Sequence, residues 1–122
     1  MPDVQFIERG DKQILLIDLS AISDYRMVPD LIEKAIRLAQ SGQSAGSVRT
    51  LMDLSGTRIN SEILSSLKSL SRNNGRYAKA TAFVGLNKGW TVLLTTMFRL
   101  RGKTNHKVLT KRSEALLWLE RW

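Results

Sequence analysis

VRTLMDLSGTRINSEILSSLKSL, residues 48–70, is the stretch whose reading decides the fold. Val48–Leu54 is an apolar run bounded by a Gly/Ser-rich segment on one side and Ser55-Gly56 on the other, the pattern of a buried strand. Asn60 then precedes Ile63, Leu64, Leu67 and Leu70. Their three-and-four spacing lays them along one side of a helix that Asn60 caps, and Asn73-Asn74-Gly75 stops it. A buried strand feeding through a short loop into an amphipathic helix is half of a parallel βαβ unit.

The same alternation continues in both directions. Upstream, Val4–Glu8 and Gln13–Leu19 read as two strands joined by a Gly10-Asp11 turn, able to form a hairpin. Ser23 or Asp24 caps a helix to about Gln40, with Pro29 in its first turn, where proline is tolerated. Ser41–Ser47 is a loop. Downstream, Ala78–Val84 is a strand and Gly85–Gly89 a loop. A helix follows from about Gly89 to Arg101, with Trp90, Leu93, Leu94, Met97, Phe98 and Leu100 on one face, for which core packing is the expectation. His106–Thr110 is a last strand, and Ser113 opens a last helix. The order β-β-α-β-α-β-α-β-α predicts one α/β domain over residues 1–122, its sheet mixed but mostly parallel and covered by helices.

Charge divides the chain more sharply than hydrophobicity does. Of a formal net charge of +8, all the excess lies between Glu62 and Glu114, where eleven lysines and arginines occur and no acid does. That half should meet something anionic. There is no cysteine, which excludes disulfides and thiolate chemistry, and with His106 the one histidine, no His–His or Cys/His ligand set can form within the chain. No apolar run approaches the ~20 residues that span a bilayer, and the N-terminus carries no secretory pattern, so the cytoplasm is the expected compartment.

The element order resembles the STAS fold of bacterial anti-sigma-factor antagonists, the SpoIIAA-like group. Asp53-Leu54-Ser55-Gly56 with Ile59-Asn60-Ser61 and Leu64 resembles the family's strand ending in Asp-Leu-Ser-Gly and its Ile-Asp-Ser-Ser-Gly-Leu helix opening. AFVGLNKGW (Ala82–Trp90) and EALLWL (Glu114–Leu119) resemble the corresponding segments of SpoIIAA-like relatives. The resemblance implies a non-catalytic, regulatory protein-interaction domain, and in its switching branch a phosphorylated serine at the position of Ser61. Here the family's Asp is Asn60, the following Ser-Gly is Glu62-Ile63, and the loop is one residue shorter.

On the residues alone, Ser61, Ser65, Lys68 and Arg72 form one stripe facing away from Ile63, Leu64 and Leu67. With Asn60 they are the candidate partner surface. A phosphate on Ser61 would gain from the helix N-terminus, and an ordinary first-turn serine is the plainer reading. A second candidate lies on the third helix. Trp90, Met97 and Phe98 could line a pocket with Lys88, Arg99, Arg101 and Lys103 at its mouth, suited to a lipid, another anionic amphiphile or an anionic membrane. Lys103, Lys107, Lys111 and Arg112 read as a solvated edge that discourages strand aggregation. Nucleic acid is disfavoured, because Tyr77 is the one good exposed stacking candidate in the basic half. Asp18 and Asp53 sit near the ends of neighbouring strands, where they could approach each other, and loop capping is the expectation. Without Gly-x-Ser-x-Gly, a phosphate cradle or a carboxylate pair, no enzyme and no cofactor is expected. An edge strand and Trp122 could serve a homodimer, and an exposed terminal tryptophan is the equal alternative.

Overall fold

A computed structural model describes residues 2–41, 46–74, 76–100 and 105–122, with the side chains of 97–100 left aside. Arg101 and Lys103 of the second candidate set, and the side chains of Arg99, Met97 and Phe98, therefore lie outside the described residues. Five strands and four helices follow the expected order: β1 Asp3–Arg9, β2 Lys12–Asp18, α1 Val28–Gln40, β3 Val48–Asp53, α2 Ser61–Asn74, β4 Ala78–Val84, α3 Lys88–Leu100, β5 His106–Leu109 and α4 Arg112–Glu120.

β1 and β2 form the antiparallel hairpin, turned at Gly10, whose φ of 63° is costly for any residue with a Cβ. β2, β3, β4 and β5 then add in parallel, so the sheet order is the chain order, β1-β2-β3-β4-β5. The stretch without acids supplies most of α2, then β4, α3 and β5, so among the described residues Lys79, Lys88 and Lys107 belong to the β4–β5 end of the sheet and Lys68 and Arg72 to α2.

Strand alternation feeds two cores. On one face Leu15, Ile17, Met52 and Phe83 meet Ile32, Ala35 and Ala39 of α1, Ile63, Leu67 and Leu70 of α2, and Leu94 of α3. On the other, Ile14, Leu16, Leu51, Ala80, Ala82 and Val84 meet Ala115 and Leu119 of α4. Because both faces are covered, β2 is apolar at consecutive positions, as parallel strands are. Trp122 packs half-buried against this second core, its ring edge-on to Trp118 with centroids 5.8 Å apart, so it is not an exposed terminal tryptophan.

Helix starts follow side-chain chemistry closely. Asn60 Oδ1 accepts the Ile63 N–H at 2.9 Å, the cap read from sequence. Asp24 does cap, but it caps a 3-10 turn, Tyr25–Met27, and α1 starts only at Val28. Pro29 is the reason: the Val28 N–H closes a three-residue bond to Tyr25 O, and proline has no N–H to make the α-type bond that would follow. α4 starts one residue early, with Glu114 reaching back to the Lys111 N–H at 3.1 Å.

The third helix departs from expectation. Of its apolar arc, Leu94 is buried, but Leu93 is 43% exposed, and Val92 beside it is 65% exposed. α1 and α2 already fill the middle of this face, leaving α3 over β5, an edge strand of four residues. That is too little sheet to cover the arc.

Candidate functional site

Three places gather the polar and exposed apolar groups. The first is α2. Asn60 is half-buried at its cap, while Ser61, Ser65, Lys68 and Arg72 are all exposed along one line of the helix, where the spacing put them. Ser65 also borders an open groove of about 280 Å³ between α1 and α2, with Pro29, Ile32, Glu33, Ile36, Ser66 and Ser69. Ser61 is the first helical residue, beside the N–H groups the helix leaves unpaired.

The second place is the start of α3. Asn87 Oδ1 accepts the Trp90 N–H at 2.9 Å, and Asn87 O accepts the Thr91 N–H at 2.9 Å, so Asn87 is the cap that sequence reading left in a loop. This fixes Trp90 in the first turn, half-buried, at an open depression of about 420 Å³ lined by Asn87, Gly89, Trp90 and Leu93. Lys88 stands exposed next to it. Trp90 shares its side of α3 with Leu93, three residues on, while Lys88 shares the opposite side with Val92, four residues on, so the helix does not bring Trp90 and Lys88 together. Val92 and Leu93 are both exposed apolar side chains that water should otherwise expel.

The third place was half legible in the sequence, which set Asp18 and Asp53 at neighbouring strand ends but did not place Arg112 with them. Asp18 and Asp53 are register partners at the ends of β2 and β3. Arg112, the first residue of α4, reaches both: Nε and Nη2 donate to Asp53 Oδ2 at 3.0 and 2.7 Å, and Nη2 lies 3.2 Å from Asp18 Oδ2. Each carboxylate also caps its own loop, Asp18 through the Ser20 N–H at 3.0 Å and Asp53 through the Ser55 N–H at 2.9 Å. Burial pushes the Asp53 carboxyl up, but the Ser55 hydrogen bonds and then Arg112 outweigh it and hold it below its ordinary value. Burial likewise pulls Arg112 down, and the two carboxylates more than reverse this. Arg112 therefore belongs to this cluster and not to the solvated edge in which the sequence grouped it.

The loops around the cluster are sewn to one another. The Thr57 hydroxyl donates to Leu19 O and accepts the Ile22 N–H, and the Ala21 N–H donates to Ser55 O at 2.8 Å. Gly85, at φ 86°, passes so close to Ser55 that a Cβ there would lie 2.5 Å from Ser55 Cα. With one cation spent on two carboxylates and the serines bonded locally, this arrangement anchors α4 and the strand-end loops. Asp18 and Asp53 do cap loops, as expected.

Tyr77 is half-buried, with the Arg76 guanidinium 5.1 Å from its ring centre, so it does not offer an open stacking face on both sides. Among the described residues no group of three or more His, Asp or Glu side chains could hold a metal ion, and no helix is long and apolar enough to cross a membrane.

No family model matches the chain, and no curated protein does. Among solved structures, the chain is similar to an uncharacterized protein of the DUF3478 family with a SpoIIAA-like fold from Shewanella loihica PV-4. The two share 19% sequence identity over 95% of this chain and 91% of the other, with a TM-score of 0.65. The fold is SpoIIAA-like, as the element order and the strand-end motif implied.

Proposed function

We propose that this STAS-like domain is a non-catalytic binding module that contacts an anionic amphiphile, foremost an anionic lipid surface, through the first turns of α3. One observation carries the reading: Val92 and Leu93, successive residues of α3, are 65% and 43% exposed, with exposed Lys88 one turn before Val92 on the same side of the helix. Burying two such side chains in the acyl boundary is worth roughly 1.5–3 kcal/mol each at full burial. Lys88 and each further cation held near the surface add about 1 kcal/mol. Arg99, Arg101 and Lys103 follow Lys88 in sequence on the same segment.

Flotation with phosphatidylglycerol and with phosphatidylcholine vesicles tests it. Wild type floats with the anionic vesicles alone, less as salt rises. Val92→Asp with Leu93→Asp, at exposed positions that the core does not use, abolishes flotation without changing the melting temperature. Equal behaviour of wild type and the double variant would refute the assignment.

A second reading follows the fold resemblance: a regulatory domain that docks a protein partner on α2, switched by phosphorylation of Ser61. The exposure of Ser61, Ser65, Lys68 and Arg72 along one line, next to the α1–α2 groove, favours it. Affinity capture from native lysate with wild type and Ser61→Asp tests it; a partner whose recovery does not differ between the two removes Ser61 from the mechanism.

A further inference from the structure

The sheet has two edges, and they are built differently. β5 is four residues long and carries Lys107, with Lys111 just beyond it; shortness and lysine are both devices that deter further pairing. β1 is seven residues long, pairs with β2 at every position without a bulge, contains neither lysine nor proline, and has a neighbour on one side only. Its outer row of N–H and C=O groups is a template for another strand.

The residues of β1, DVQFIER, say which strand fits. Laid antiparallel against a second copy of itself about Phe6, the strand pairs all seven positions: Asp3 with Arg9 of the second copy at both ends, Val4 with Glu8, Gln5 with Ile7, and Phe6 with Phe6. Opposite charges meet at both ends, and two half-buried aromatic rings meet at the centre. Alternatives are worse. A one-residue slip sets Asp3 against Glu8 and turns each apolar face toward the wrong side, and two-residue slips leave end positions unpaired. Within the protomer Asp3 engages Lys34 of α1 at 3.0 Å and Arg9 engages Glu120 of α4 at 2.8 Å, helices on opposite faces of the sheet, so the pairs across the axis form by exchange with these exposed internal ones.

We infer that the partner of the β1 edge is a second copy of this chain, joined by antiparallel β1–β1 pairing centred on Phe6 into a continuous ten-stranded sheet with a two-fold axis through its middle.

Sedimentation equilibrium of the full chain tests this against a protomer mass of 13.8 kDa. Wild type is expected as a dimer. Asp3→Lys places like charges opposite Arg9 at both ends, and Arg9→Glu places them opposite Asp3, so each variant alone dissociates at least tenfold more readily. Mixed together, the two variants restore attraction at both ends and form a one-to-one heterodimer. This rescue depends on the register and cannot come from a folding defect. In a chain without cysteine, Phe6→Cys supplies a lone thiol at the axis, and mild oxidation should link the dimer across it. A monomeric wild type, or a dimer that both charge variants leave unchanged, overturns the inference.

Discussion

Arg112→Ala should be the most informative single substitution in this protein. Arg112 holds two carboxylates that face each other at the ends of β2 and β3, and the Asp53 side chain is only 7% exposed. Stripping the partner from a buried charge typically costs 3–5 kcal/mol. Here the Arg112 side chain is itself 38% exposed, so water reaches the cluster and part of that cost is screened. Asp53 also keeps its Ser55 N–H, and Asp18 its Ser20 N–H and hydroxyl. About 2 kcal/mol remains, which for a domain of this size lowers the melting temperature by roughly 6–12 °C.

The pH dependence identifies the cause. Asp53 has a depressed folded-state pKa, so its contribution is fully present above the unfolded value of about 4 and is lost as pH falls through the lower folded value. In Arg112→Ala the depression shrinks while the burial that raises Asp53 stays. The gap between wild type and variant should therefore be widest at neutral pH and narrow as pH falls below the unfolded value of about 4. Urea unfolding at a series of pH values measures it. A gap under about 0.5 kcal/mol at pH 7, the size expected of an ordinary surface substitution, would refute the argument. So would a gap that does not narrow at all as pH falls below about 4.

Two further substitutions test the joints around the candidate sites. Gly85→Ala should destabilise by about 3 kcal/mol or more in urea unfolding, because the new Cβ meets Ser55 backbone at 2.5 Å and φ of 86° strains any L-residue. Asn60→Ala should cost about 1 kcal/mol through loss of the bond to the Ile63 N–H, whereas Asn60→Asp, which keeps an acceptor at the helix N-terminus, should cost little in the same assay.

The architecture was legible because it is written in local patterns. β4 runs from Ala78 to Val84 as its apolar run indicated, and Asn60 caps α2 as its position indicated. What escaped was what only neighbours decide. Whether Leu93 is covered depends on how much sheet lies under α3, and that follows from the length of β5 and from α1 and α2 already occupying the face. The role of Arg112 depends on register: Asp18 and Asp53 are 35 residues apart in the chain, and parallel pairing puts them side by side where one cation must serve both. One signal was available, since two acids ending adjacent parallel strands on one face call for a cation, and a helix starting above them with arginine supplies it.

Sheet twist decides whether self-pairing through β1 would strengthen lipid contact through α3. A two-fold axis through Phe6, normal to the sheet, keeps the α1–α3 side of both copies on the same nominal side, which at first suggests two α3 surfaces pressing on one bilayer. Each strand, however, is rotated by roughly 20–25° from its neighbour. α3 lies over β5, at the far edge from β1 in each copy, so nine strand-to-strand steps separate the two β5 strands. Their accumulated rotation is about half a turn. The two α3 surfaces then point in nearly opposite directions, and a flat vesicle engages one at a time, without the gain that simultaneous contact would bring. Asp3→Lys should consequently leave vesicle affinity per chain within about twofold of wild type, although it separates the dimer. A loss of tenfold or more would mean that both surfaces reach the same membrane, and would require a flatter sheet or a different pairing from the one inferred from the charges of β1.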